Sequence, residues 1–266
     1  MDTVLVTGGT GHLGRDLVGI LRDRYRVRVL SRSVGQDRAV EWVRGDLGTG
    51  DGVAEAVQGA QVIVHAATFS PAARRGFVLP VDFFRSPSGV DVDGTSRLID
   101  AARVAGVKHF LYVSIVGVER APLPYMRLKL VAETLVRRSG MPWSIVRATS
   151  FYWLLDRMLA KMARLPVWPL PVDLAVQPCD TGDFAGYLVE CLTTGPGEDR
   201  EDFGGPEVLT LGEAAKQFQD ARGLHRPIQR VPVPKAATRV ANALTCPNGR
   251  RGPTTWSVWL SQHAAG

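Results

Sequence analysis

Tyr125 and Lys129 stand four residues apart in Tyr125-Met126-Arg127-Leu128-Lys129, and Ser114 lies eleven residues before the tyrosine. Residues i and i+4 share a helix face, so the phenol and the ammonium can act on one small volume. A lysine charge beside a phenol favours its anion and lowers a pKa that starts at about 10. The chemistry expected of this set is proton transfer. Tyr125 or Lys129 supplies a proton to a carbonyl oxygen as hydride arrives, and Ser114 orients that oxygen. Such a step needs a hydride carrier close by.

The start of the chain offers a place for one. Val4-Leu5-Val6-Thr7 runs into Gly8-Gly9-Thr10-Gly11-His12-Leu13-Gly14, an apolar strand followed by three glycines spaced three apart and then a helix. Gly8 lets the chain turn off the strand, Gly11 lets backbone approach a pyrophosphate, and Gly14 lets the helix pack close to the sheet. The helix N-terminus adds unpaired N–H groups and a positive dipole end. Gly8, Thr10, Gly11, His12, Leu13 and Gly14 are therefore the expected cradle of a dinucleotide. The second strand, Arg26-Val27-Arg28-Val29-Leu30, ends at Ser31-Arg32-Ser33, with no acid until Asp37. An acid at this tip selects NAD, whereas an arginine pairs with the 2′-phosphate of NADP. Arg32 thus points to NADP, with NAD left open, and Arg15 could reach the same phosphate. Asp46 and Leu47 are expected beside the adenine, and the small Ala66 and Ala67 leave room for the dinucleotide. Lys129 could hold the nicotinamide ribose, and Phe151 with Tyr152 could wall the nicotinamide.

These groups need a scaffold. The first 150 residues alternate strand and helix, which predicts an α/β fold: a Rossmann doubly wound parallel sheet with helices on both faces. Strands are expected at 39–44, 61–64, 109–114 and 143–147. Helices are expected at 11–23, 91–105 and 125–138. A polar, proline-punctuated segment over 68–88 falls where substrate loops usually lie. Residues 151–266 are expected to form a small C-terminal α+β substrate lobe, partly interleaved with the Rossmann domain of residues 1–150. In it, 151–164 is amphipathic and 166–171 is expected to break regular structure. Short elements should follow at 183–192, 207–211, 212–221, 228–231 and 254–263.

The whole-chain features set bounds. Among 266 residues there are 3 cysteines, far apart, in no metal-ligand or disulfide pattern, which suggests a reducing cytoplasm. No stretch approaches a transmembrane span, and the chain opens on the first strand, so neither a membrane anchor nor a signal peptide is expected. The net charge of +6 comes without a basic stripe, so direct nucleic-acid binding is not expected, nor is a metal site. The helices over 91–105 and 125–138 could form a four-helix homodimer interface.

The motifs together resemble the short-chain dehydrogenase/reductase superfamily, in its extended-to-atypical, NmrA-like and isoflavone-reductase-like branch. The residues that carry the resemblance are Thr7 to Gly14, Gly45-Asp46-Leu47, Val113-Ser114, Tyr125 with Lys129, Gly140 to Arg147 with Phe151-Tyr152, and Gly204-Gly205-Pro206-Glu207. It implies a Rossmann domain, a nicotinamide cofactor and a small-molecule substrate. Extended members carry an asparagine where this chain has Asp91, and in isoflavone-reductase-like enzymes the lysine matching Lys129 carries much of the catalysis. The expected function is an NADP-dependent reductase of a small carbonyl, quinone or activated double bond. Two alternatives stand beside it: a non-catalytic NADP-binding redox sensor, and an epimerase or isomerase with a tightly held cofactor.

Overall fold

In the computed structural model of the chain, the residues described are 1–68 and 89–263. Six strands set out the sheet: β1 (Thr3–Thr7), β2 (Arg26–Ser31), β3 (Glu41–Arg44), β4 (Val62–His65), β5 (His109–Ile115) and β6 (Trp143–Ala148). Their order is β3-β2-β1-β4-β5-β6, and every pairing between them is parallel. The chain reverses its direction of strand addition between β1 and β4, where an open α/β sheet forms its ligand crevice. All five residues of β1 are buried, as expected of a strand covered on both faces.

One face is covered by α1 (His12–Leu21) and α6 (Thr181–Thr193). Leu13, Leu17 and Leu21 pack there with Val29, Val64, Leu111, Val146, Phe184 and Leu188. The other face is covered by α2 (Val53–Val57), α3 (Thr95–Val104) and α4 (Pro124–Arg137), where Leu98, Ala132 and Val136 meet Leu5, Ile63 and Phe110. The helix expected over 91–105 begins as a π-helical turn, Gly89–Gly94, before α3 takes over. Apart from Thr68, the segment over 68–88 lies outside the described residues.

Beyond β6 the chain does two things. It returns to the main sheet: β9 (Glu198–Asp199) and β10 (Phe203–Gly204) pair with β6, and β13 (Arg250–Arg251) pairs with β10, all parallel. It also builds a second core from α5 (Tyr152–Met162), α7 (Leu211–Ala221) and α9 (Trp256–Gln262), around Tyr152, Leu159, Trp168, Phe218, Trp256 and Trp259. The expected break over 166–171 is not what forms. Trp168–Leu170 is a strand, β7, paired in parallel with β12 (Ile228–Arg230). Trp168 N–H donates to Pro227 O, and Leu170 O accepts from Val231, so the ladder bonds skip Pro169, which lacks an N–H. A short antiparallel pair, β8 (Ala175–Val176) with β11 (Leu209–Thr210), replaces the longer strand expected over 207–211. The helix α8 (Lys235–Ala243) is additional to the sequence reading.

Candidate functional site

The glycine loop sits at the crevice between β1 and β4, where Thr7 registers with His65. Gly8 has φ +76°, and a Cβ there would lie 2.8 Å from the backbone of Ala66 and Ala67. It therefore serves both the turn and the close passage of the β4 exit. A Cβ on Gly14 would lie 2.1 Å from Gly8 O, so the third glycine sets how closely α1 approaches the loop. Gly11 differs. A Cβ there would meet only Gly8 O, at 3.3 Å, and the residue is exposed. Packing within the chain explains Gly8 and Gly14, whereas at Gly11 the small side chain keeps outside space clear. Gly11 is also the N-cap of α1 and supplies no side-chain cap, so the first N–H groups of the helix lack that partner. The loop fits a pyrophosphate.

Thr10 and His12 are exposed while Leu13 is buried. The His12 ring stacks on Trp153 at 4.3 Å, and burial, with Arg157 and Arg15, holds its pKa below that of an ordinary histidine. Arg15 Nε donates to Thr10 O at 3.1 Å, which lays the guanidinium along the loop. At the tip of β2, Arg32 is exposed. The nearest downstream acid, Asp37, is engaged: it accepts from Ala39 N–H at 2.9 Å and from Arg22 at 3.0 Å. Asp46 accepts from Gly48 N–H at 2.8 Å and so shapes the turn after β3, while Leu47 is buried in the core beneath it. Ala66 and Ala67 are half-buried at the end of β4. Phe151 packs on Phe184 at 5.9 Å. Tyr152 turns into the second core and donates to Thr254 O at 2.8 Å.

A buried polar network crosses the same sheet edge. Thr95 Oγ1 donates to Asp91 O at 2.7 Å, and His65 Nε2 lies 2.9 Å from that hydroxyl. With the threonine proton committed, Nε2–H must donate. His65 Nδ1 then accepts from Thr7 Oγ1, 2.6 Å away, which itself accepts from Ala67 N–H at 3.3 Å. Hydrogen-bond polarity thus fixes one neutral tautomer. Burial, then the nearby Lys129 charge, push the pKa of His65 down to about 3.

Asp91 joins this network to the proton-transfer set. Its Oδ1 lies 3.1 Å from Lys129 Nζ and accepts from Thr68 Oγ1 at 2.6 Å. Thr68 Oγ1 also lies 3.0 Å from Tyr125 OH. The threonine has one proton and directs it at the carboxylate, so in this contact the phenol donates to Thr68. Lys129 is buried on the helix face that also carries Tyr125, and its Nζ reaches Tyr112 OH at 3.4 Å. Burial alone would lower the lysine pKa, but Tyr112, Asp91 and Tyr125 outweigh it and the pKa is raised. The expected lowering of the Tyr125 pKa is not found. Burial raises it, Lys129 pulls against that, Asp91 adds to it, and the net direction is upward. The spacing of Tyr125 and Lys129 showed the lysine but not its counter-ion.

Ser114 is buried on the strand face that carries Tyr112. Its Oγ makes no hydrogen bond of ordinary geometry among the described residues, yet lies close enough to Glu133 to help hold that carboxylate ionised. Glu133 is fully buried and takes Arg147 Nε at 2.8 Å and Nη2 at 2.7 Å. The structure thus gathers Tyr125, Lys129, Thr68 and Asp91 in one cluster, and sets Ser114 against the neighbouring Glu133–Arg147 pair. Thr68, Tyr112 and His65 were not singled out for this cluster from sequence. For His65 and Thr68 the signal was a polar side chain at or just beyond the end of an apolar strand, whereas Tyr112 lies in the middle of β5.

A family profile described as NAD(P)H-binding matches residues 8–156. The chain is 30% identical over 239 residues to a (4-alkanoyl-5-oxo-2,5-dihydrofuran-3-yl)methyl phosphate reductase of Streptomyces griseus, covering 85% of this chain and 75% of that protein. It is 28% identical over 241 residues to the photosystem II assembly factor Ycf39 of Trieres chinensis, covering 87% and 72%. Against another relative, a divinyl chlorophyllide a 8-vinyl-reductase of Zea mays, it spans 51% of that protein's length. In fold it is similar to the NADPH-dependent quinone oxidoreductase QOR2 of Escherichia coli, with TM-score 0.78 and 16% identity over 98% of this chain and 99% of that one. The glycine loop, the β4 exit and the Tyr125–Lys129 pair all fall inside the matched span, and the chain belongs to the NAD(P)H-binding family.

Proposed function

We propose that this protein is an NADP-dependent reductase that delivers hydride and a proton to a small organic carbonyl, quinone or activated double bond. The observation that carries the reading is the cluster of Tyr125, Thr68, Asp91 and Lys129 at the sheet edge that also holds the glycine loop. A bound nicotinamide dinucleotide supplies the hydride. The chain's own groups supply the rest. The loop backbone and the α1 N-terminus take the pyrophosphate. Arg32, with Asp37 tied to Arg22 and Ala39, favours a 2′-phosphate over a free 2′-hydroxyl. Tyr125 holds its proton on Thr68 until a more basic oxygen arrives on the substrate, and then donates it there. The reductase names among the relatives support this class.

The assembly-factor relative supports a second reading, in which the dinucleotide is bound as a signal and not consumed. Calorimetric titration with NADPH and NADH, on wild type and Arg32→Ala, followed by a carbonyl and quinone screen for NADPH consumption, separates the readings. Tight NADPH binding that weakens at least tenfold in the variant, with turnover lost in Tyr125→Phe, is the expected result. Tight binding with no turnover across the screen favours the signal, and no binding of either dinucleotide overturns both.

A further inference from the structure

We propose that Asp91 is a positioning residue that keeps Tyr125 a protonated phenol, by neutralising Lys129 and drawing the tyrosine O–H onto Thr68. The inference rests on the reductase reading and deepens it, because it sets the direction in which the site is poised to move a proton. Three contacts support it. Asp91 Oδ1 lies 3.1 Å from Lys129 Nζ, with both side chains almost wholly buried. The same oxygen takes the Thr68 proton at 2.6 Å. The phenol is thereby left as the donor in its 3.0 Å contact with Thr68.

A lysine four residues from a tyrosine would, alone, stabilise the tyrosinate, and the site would then serve as a base. A carboxylate on that lysine cancels much of its charge in a low-dielectric setting, where the effect on a neighbouring phenol is large. An asparagine at position 91 could accept the Thr68 proton but could not neutralise the lysine. Among the described residues, two further titratable groups face the pair, and neither replaces this charge. Tyr112 from β5 shares the lysine, and burial keeps its own phenol protonated to about 12. His65 from β4 is neutral by its wiring to Thr7 and Thr95. Beyond α4, Val240 of α8 and Leu244 pack on the same apolar cluster as Tyr125, around Val118, Ala121 and Met126.

The test is a spectrophotometric titration of tyrosinate without dinucleotide. It uses a Tyr112→Phe background, so that the two phenols sharing Lys129 are not confused. The Tyr125 curve is the difference between proteins with and without Tyr125→Phe, taken once with Asp91 and once with Asp91→Asn. With Asp91, Tyr125 is expected to ionise above the ordinary tyrosine value of about 10. With Asp91→Asn the midpoint should fall by at least one pH unit, a tenfold rise in the ionisation constant. An unchanged midpoint overturns the proposal. So does a Tyr125 midpoint below the ordinary value while Asp91 is in place, which settles the matter even if Asp91→Asn fails to fold. Because no cofactor is present, failure to bind NADPH would remove the reductase reading and leave this result standing.

Discussion

Acid should destabilise this protein through His65 in a window that can be stated in advance. The imidazole is fully buried and both its nitrogens are spoken for. Nδ1 receives the Thr7 proton at 2.6 Å, and Nε2–H is given to Thr95 at 2.9 Å. A second proton on Nδ1 would face the Thr7 hydroxyl proton and a lysine charge, with little solvent to compensate. The unfolded chain binds that proton near 6.5 and the folded one only near 3. Between those values the unfolded state carries more protons, so stability falls as pH falls. The slope approaches about 1.4 kcal/mol per unit below the unfolded value, and from about pH 6.5 to about pH 4.5 the loss amounts to roughly 2 kcal/mol. His109, held near 4 by burial and Arg200, loses stability with the same sign, so the measurement must be a difference. Denaturant unfolding of wild type and His65→Asn, followed by tryptophan fluorescence across this window, isolates the one residue. The gap between the two proteins should narrow by roughly 2 kcal/mol on acidification. A gap that does not change with pH would mean that His65 is protonated when folded, and would refute the wiring.

Two further outcomes follow from the packing. Gly11→Ala should leave stability within a few tenths of a kcal/mol of the wild type but weaken dinucleotide binding at least tenfold. Gly14→Ala should lose about 1–3 kcal/mol, because its Cβ meets backbone at 2.1 Å. Calorimetric titration and thermal melts on the same samples separate the two effects. Glu133→Gln, which strips the carboxylate from Arg147 in a buried pair, should cost about 3 kcal/mol by chemical denaturation, and a loss under 1 kcal/mol would show that the pair is not structural.

The strands and helices that hold the cofactor loop were legible because local sequence decides them. Val4, Leu5 and Val6 form a continuous apolar run, and the glycine spacing follows from turn, approach and packing in turn. The relationships among distant residues were not legible. Asp91 was visible as a departure from an asparagine, but nothing nearby in sequence shows that the end of β4 delivers Thr68 to the same oxygen that takes Lys129. The proline-rich stretch misled for a geometric reason: in a two-stranded parallel ribbon, every other N–H points away from the ladder, and Pro169 occupies such a position. The helix Lys235–Ala243 is harder to read because it is short, follows Pro232 and Pro234, and buries only its last residue, Ala243.

The exposed flank of β6 is closed by material made much later. Glu198–Asp199 covers its first half, Phe203–Gly204 meets its end, and Arg250–Arg251 lies outside that. A ribosome therefore releases the nucleotide-binding half long before the strands that seal it. During that interval a parallel edge with free N–H and C=O groups is open to any other extended chain, and its closure waits on contacts of very long sequence separation, which form slowly. The nascent protein thus has a period of vulnerability set by the order of synthesis. Its yield in a cell should depend on how quickly about the final quarter of the chain, from Glu198 onward, is translated, or on a chaperone that holds that flank until it arrives.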